Sequence, residues 1–223
     1  ANAESPMAVQ LAGLRFLLTA DAPHALLRLP REYDPFLTPP GAAAPVAARY
    51  RVTTAAPPAG PPDAAWLWQN ELWRLAQQPD RGYRIEIHDP LARRWRCAAA
   101  VRADFQAGEL YALPPAPAAP DAAGPAGALC PWHHPHDRVL LLGRLAFLGG
   151  GILHASAVVD DGRALLFLGP SGAGKTTMAR LWRTAGATLL NDERVILRRT
   201  ATGAVAGSAP WHGEENQVSP VHA

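Results

Sequence analysis

Lysine is almost missing from this chain: of its 21 basic residues, twenty are arginine and one, Lys175, is lysine. Cysteine is nearly as scarce. Cys97 and Cys130 stand alone, without C-x-x-C spacing. That excludes a disulfide framework and a zinc ribbon, and fits reduced thiols in a cytosolic protein. No run approaches the roughly 18 apolar residues that cross a bilayer. No basic and apolar leader with a small-residue cleavage site opens the chain, so the expected location is the cytoplasm and no membrane partner is expected. A net charge of +2 is too small to argue for nucleic acid. No internal repeat is visible.

What remains is enough for a folded body. The 223 residues suit one or two domains, and 48% are apolar. Residues 1–130 read as a β-rich amino-terminal domain. Val9–Phe16 alternates in part, Ala48–Thr54 alternates and carries β-formers, and Gly82–His88 places Tyr83, Ile85 and Ile87 on one face. Arg94–Val101 is expected to pair with that strand. Pro79-Asp80-Arg81-Gly82 favours a hairpin with a strand near Glu71–Leu75. The Pro/Ala-rich stretch from 114 to 127 reads as a linker or exposed loop. Asp137 can cap a helix through Val139–Leu148, ended by Gly149-Gly150-Gly151. Ile152–Val159 reads as a strand, and Asp161-Gly162 as a hairpin turn.

Lys175 lies in Gly169-Pro170-Ser171-Gly172-Ala173-Gly174-Lys175-Thr176, a full match to G-x-x-x-x-G-K-[ST]. A compact ammonium can fold over a ring of backbone amides and reach β- and γ-phosphates, where a planar guanidinium is too wide. Ala164–Leu168 before the loop is an unbroken apolar run, as for a strand buried on both faces. After it, Met178, Leu181, Trp182 and Ala185 form one helical stripe, and Gly186 supplies a left-handed stop. Strand, glycine loop and helix converge amides on phosphate oxygens. The nucleotide-binding set is therefore Gly169 through Thr177, with the Thr176 hydroxyl on Mg²⁺. Asn191-Asp192-Glu193 ends the next short strand, Ala187–Leu190. A carboxylate there faces a ligand crevice. Asp192 either holds Mg²⁺ or takes the proton from an attacking hydroxyl.

These spacings carry a resemblance. His154 lies fifteen residues before Gly169, and Asp192 lies seventeen after Lys175. A His-containing strand, the glycine loop, one helix and a paired acidic motif resemble the catalytic core of the bacterial HPr kinase/phosphorylase family. The likeness is closer to the HPr-kinase-related proteins found beside peptide-modification genes; phosphoenolpyruvate carboxykinases are remoter. It spans about residues 137–200. It implies an α/β P-loop kinase core over 131–223, like the carboxy-terminal domain of HPr kinase, behind the β-rich domain. It implies ATP and Mg²⁺ as cofactors, Asp192 as base toward a serine hydroxyl, Glu193 as the second acid of a pair that is usually two aspartates, and His154 as a histidine near the active site. The acceptor implied is a peptide or small protein; homo-oligomerisation is left open. The family's downstream segment tied to phosphorolysis is not recognisable, so neither that reaction nor HPr as acceptor is carried over. Only Ala201–Ala223 follow Arg199 and Thr200, and the core is expected to be incomplete at its carboxyl end. Trp211-His212-Gly213-Glu214-Glu215-Asn216 resembles a Trp-His-Gly-Glu segment of the related proteins and is a candidate acceptor wall.

Other clusters carry less. His133-His134-Pro135-His136-Asp137 lacks a distant ligand set to complete a metal site. Trp66, Trp68 and Trp73 fit either a packed core or an aromatic binding face. Arg93-Arg94-Trp95-Arg96 reads as the charged face of a strand. The activity expected is Mg²⁺-ATP-dependent phosphoryl transfer to a hydroxyl. The alternatives are a non-catalytic ATP-binding module and a kinase of a small metabolite.

Overall fold

The computed structural model describes residues 6–20, 26–39, 41–62, 65–89, 94–112, 128–129, 132, 134–213 and 218–223. Its strands are β1 (Met7–Leu11), β2 (Leu14–Ala20), β3 (Leu26–Leu27), β4 (Leu37–Thr38), β5 (Val46–Thr53), β6 (Trp66–Gln69), β7 (Trp73–Gln77), β8 (Tyr83–Asp89), β9 (Arg94–Val101), β10 (Ala107–Ala112), β11 (Ala128–Leu129), β12 (Gly150–Asp160), β13 (Arg163–Leu168), β14 (Thr188–Asn191), β15 (Arg194–Thr200) and β16 (Gly203–Ser208). A 3₁₀ turn spans Arg31–Phe36, and two α-helices, α1 (His136–Phe147) and α2 (Lys175–Thr184), complete the described elements. A mixed sheet runs β4-β1-β2-β5-β10-β9-β8-β7-β6, and a smaller sheet runs β13-β12-β15-β16 with β14 also on β12.

This overturns the α/β expectation. The protein is mostly β, 47% strand against 16% helix. The reason lies in the connections. An α/β sheet needs a helical crossover between successive parallel strands. Here Asp161-Gly162, both at positive φ, turn β12 straight into antiparallel β13, and a similar tight turn joins β15 to β16. Among the described residues, only α2 acts as a crossover helix in the smaller sheet.

The chain divides into two compact units. One comprises Ala1–Ala8, Phe16–Pro30 and Ala47–Arg144; the other comprises Val9–Arg15, Arg31–Val46 and Leu145–Ala223. The linker proposed for 114–127, together with Cys130 and His133, falls outside the described residues, as do the side chains of 93–96.

In the first unit the expected hairpins form: β7 pairs with β8 and β8 with β9, all antiparallel. Ile85 and Ile87 point into a core that also holds Tyr50, Leu110, Leu140, Leu141 and Trp132. Asp137 lies inside α1 rather than capping it. The tryptophan cluster is not core: Trp68 is exposed and lies 4.0 Å from Trp73, centroid to centroid, on the edge hairpin. The opposite face of β8 buries charge. Glu86 accepts from Arg84 Nε at 2.6 Å and from Arg74 Nε at 2.8 Å, and Arg74 lies 3.9 Å over the Trp66 ring. Arg84 and Glu86 are each 4% exposed.

In the second unit β12 is the central strand and its two faces serve different purposes. Ala155 and Ala157 pack with Leu190, Val195 and Ala206; Val158, on the other face, packs with Ala179, Ala187 and Leu189. Ala179 is the one buried residue of α2, supported by Trp182, while Met178 and Leu181 are exposed. The helix thus contacts the sheet through a small residue, and the expected stripe is rotated toward solvent. The run Ala164–Leu168 is likewise not buried on both faces. It forms the sheet's edge, and Leu168 is 63% exposed.

Removing one member of a buried charge set strands the others, at a cost of about 3 kcal/mol. Glu86→Gln is therefore expected to lower the unfolding free energy measured in urea by that order; an unchanged value would mean that Arg74 and Arg84 find other acceptors.

Candidate functional site

β13 and β14 are both antiparallel to β12, so they run parallel to each other with β12 between them. Leu168, the last residue of β13, lies opposite Ala155; Asn191, the last of β14, lies opposite Ala157. Both strands therefore deliver their following loops to the same end of the sheet. His154 sits at that end, opposite Arg194.

The loop after β13 is held open by backbone conformation. Gly172 and Gly174 have φ of 78° and 82°, with nothing within 4 Å of where a Cβ would stand. Glycine is required there by the left-handed backbone rather than by crowding. Gly174 is the N-cap of α2 and gives no side-chain cap, so the first amides of the helix are left to an anion. Lys175 folds back and donates to the carbonyls of Gly169 at 3.0 Å and Pro170 at 2.9 Å.

The loop after β14 is built around a buried amide. The two N–H groups of Asn191 Nδ2 are shared among three acceptors, Ser208 Oγ (2.9 Å), Ala209 O (2.9 Å) and Trp211 O (3.0 Å). Its Oδ1 accepts from the backbone of Glu193 (2.7 Å) and Arg194 (2.8 Å). Asp192 follows, 4% exposed. Its carbonyl accepts from Ser156 Oγ at 3.0 Å, and its Oδ1 accepts from Gly213 N at 2.8 Å. Gly213 must be small, since a Cβ would stand 2.9 Å from the other carboxylate oxygen. Glu193 pairs with Arg194 at 3.2 Å, both about one-third exposed, so that pair adds little stability.

These parts line one cleft of about 380 Å³. From the glycine loop and helix come Ser171, Gly172, Gly174, Lys175, Thr176 and Thr177. From β12 comes His154 and from the turn after β14 come Asp192 and Glu193, with Gly213 closing one side. Gly169, Pro170 and Ala173 belong to the loop without lining the cleft; the first two supply the carbonyls that hold Lys175. Of the Trp-His-Gly-Glu segment, Trp211 accepts from Asn191 and Gly213 touches Asp192, while Glu214, Glu215 and Asn216 lie outside the described residues. The Thr176 hydroxyl and the Asp192 carboxylate share the cleft, an oxygen-donor pair suited to Mg²⁺ alongside phosphate oxygens. Among the described residues no group of three or more His, Cys, Asp or Glu could by itself hold a metal.

Comparison of the chain with protein-family models, curated proteins and solved structures gives no match. The likeness to HPr kinase relatives rests on the motif residues alone. Among the described residues no helix is long and apolar enough to cross a membrane.

Two contributors escaped the sequence. Arg180 also lines the cleft; it falls four residues after Thr176 and three after Thr177, on the same helix face. Asn191 was visible only as one polar residue in a polar turn. Asn191→Ala would leave two backbone amides and two buried carbonyls without this partner, costing about 3 kcal/mol or more. Asn191→Asp should be no rescue, because an anion would face the carbonyls of Ala209 and Trp211. Urea unfolding of both variants checks this; a native-like midpoint for the aspartate form would contradict it.

Proposed function

We propose that the protein is a phosphate-loop kinase that moves the γ-phosphoryl group of Mg²⁺-ATP to a hydroxyl, taken to be a serine of a peptide or small protein. The reading is supported above all by one observation: an uncapped helix N-terminus, the only lysine and a buried aspartate share one cleft. The motif likeness to HPr-kinase-related proteins points the same way.

In this reading the amides of Gly172–Thr176 and the start of α2 cradle the polyphosphate. Lys175 exchanges its two loop carbonyls for phosphate oxygens, and Arg180 adds a second cation on the same wall. Thr176 and Asp192 would hold Mg²⁺, which would neutralise charge on the phosphate oxygens. Asp192 also orients the acceptor hydroxyl and receives its proton, so that the oxygen attacks as the leaving diphosphate departs. The Gly213 amide on Oδ1 helps to fix the orientation of the carboxylate. Preorganised charge and positioning supply most of the rate in phosphoryl transfer.

Lys175→Ala is expected to abolish ATP binding as read by calorimetry. Asp192→Asn should keep ATP binding within a few-fold while lowering transfer by about a hundredfold or more, the scale of a positioned general base. Transfer is read by mass spectrometry of candidate peptides incubated with labelled ATP and Mg²⁺. Full transfer by Asp192→Asn would remove Asp192 as the base. ATP bound but unchanged over hours with every candidate acceptor present would instead favour a nucleotide-sensing module.

A further inference from the structure

A second concavity, of about 420 Å³, lies on the sheet of the first unit, on the face of β5, β10 and β9 away from the buried core. Its floor is made of Ala100, Ala107 and Gly108. Gly108 is in register with buried Tyr50 and Val101, so it offers this face only backbone, and a Cβ there would meet a Val101 methyl at 2.6 Å on the core side. Stub residues in the middle of a solvent-facing sheet leave room for another chain to lie across it.

The walls are charged. Strand alternation brings Arg49 and Arg51 of β5 to the same face as Ala107 and Glu109 of β10. Arg102 and Asp80 complete the rim. Arg51 pairs with Glu109, and Tyr111 donates to the same carboxylate at 2.6 Å. The Tyr111 hydroxyl and then Arg51 hold Glu109 below the usual carboxylate range, so Arg51 stays neutralised. Arg102 meets Asp104 only at 3.4 Å, with its side chain 68% exposed. Arg49 is exposed and makes no ion pair among the described residues. Arg49, and Arg102 with its weak and largely exposed pair, thus present guanidinium groups from β5 and from the end of β9 on either side of β10.

We infer that this concavity is a docking site for an extended peptide segment bearing acidic residues, with Arg49 and Arg102 as its carboxylate contacts. Guanidinium groups match carboxylates through paired N–H donors. Asp80 and Glu109 on the same rim oppose a continuous polyanion such as nucleic acid, yet tolerate a peptide of mixed charge. The inference stands apart from the chemistry of the phosphate loop and survives if that chemistry fails.

The test is fluorescence anisotropy of the full chain with a labelled ten-residue peptide of alternating glutamate and glycine. Its glutamine counterpart and a ten-nucleotide single-stranded DNA serve as comparisons. The glutamate peptide is expected to bind, the glutamine peptide at least tenfold more weakly. Arg49→Glu with Arg102→Glu should weaken the glutamate peptide about tenfold or more, the scale of one lost charge-assisted hydrogen bond. Both side chains are exposed, and an unchanged near-ultraviolet circular dichroism spectrum confirms the fold. Equal binding of the two peptides, no loss in the double variant, or tighter binding of the DNA would each overturn the proposal.

Discussion

The candidate site depends on the side chain of Asn191. This amide is fully buried; its Oδ1 accepts two backbone N–H bonds and its two N–H groups are shared among three acceptors. The two accepted bonds close the turn that carries Asp192; the donated ones bind that turn to the end of β16 and the segment after it. In a low-dielectric interior such bonds are strong when all are made and costly when one is missing. The result is a polar turn with one conformation. Ser156 from the neighbouring strand takes the Asp192 carbonyl, so the carboxylate is aimed by its own backbone rather than by chance packing.

A second constraint is topological. An antiparallel β12 separates β13 from β14, and the connection between them must pass over β12. α2 makes that passage, resting on Val158 and Leu189 through Ala179. Alanine at the contact lets the helix lie close to the sheet, which keeps its first turn level with the ends of both strands. Residues fifteen before and seventeen after the loop motif can then meet over one pocket although the surrounding sheet is antiparallel.

The chemistry-bearing parts of this arrangement were legible because they are local. Positive-φ glycines, a lysine and a following helix are fixed by a few consecutive residues, and the Asp161-Gly162 turn is equally local. The architecture was not. An apolar run such as Ala164–Leu168 reads the same whether it is central or at an edge, since only its neighbours decide. Met178 and Leu181 have helical spacing, but packing chose Ala179, and only the close approach of the sheet explains why. Three tryptophans near one another left a packed core and an aromatic face both open, and a short edge hairpin has too little cover to bury them. Asn191 and Arg180 were hidden for the opposite reason: their roles come from partners 17 to 20 residues away in one case and from the turn of a helix in the other.

The division of labour between cations follows from shape. Arginines here serve as structural forks: Arg144 donates to Ala47 O and Asp104 O, Arg198 to Ala12 O, and Arg74 and Arg84 to Glu86. In each case a planar group meets acceptors set by tertiary structure. Lys175 meets two successive carbonyls of its own loop, 2.9 and 3.0 Å away, within a ring only a few residues round. A guanidinium would have to stand outside that ring, and its rigid plane would cover the amides that the glycines keep open. An ammonium can leave the carbonyls and turn toward an incoming phosphate while its stem stays in place. Under the proposed function, the chain's single lysine stands at the position where a cation would change partners.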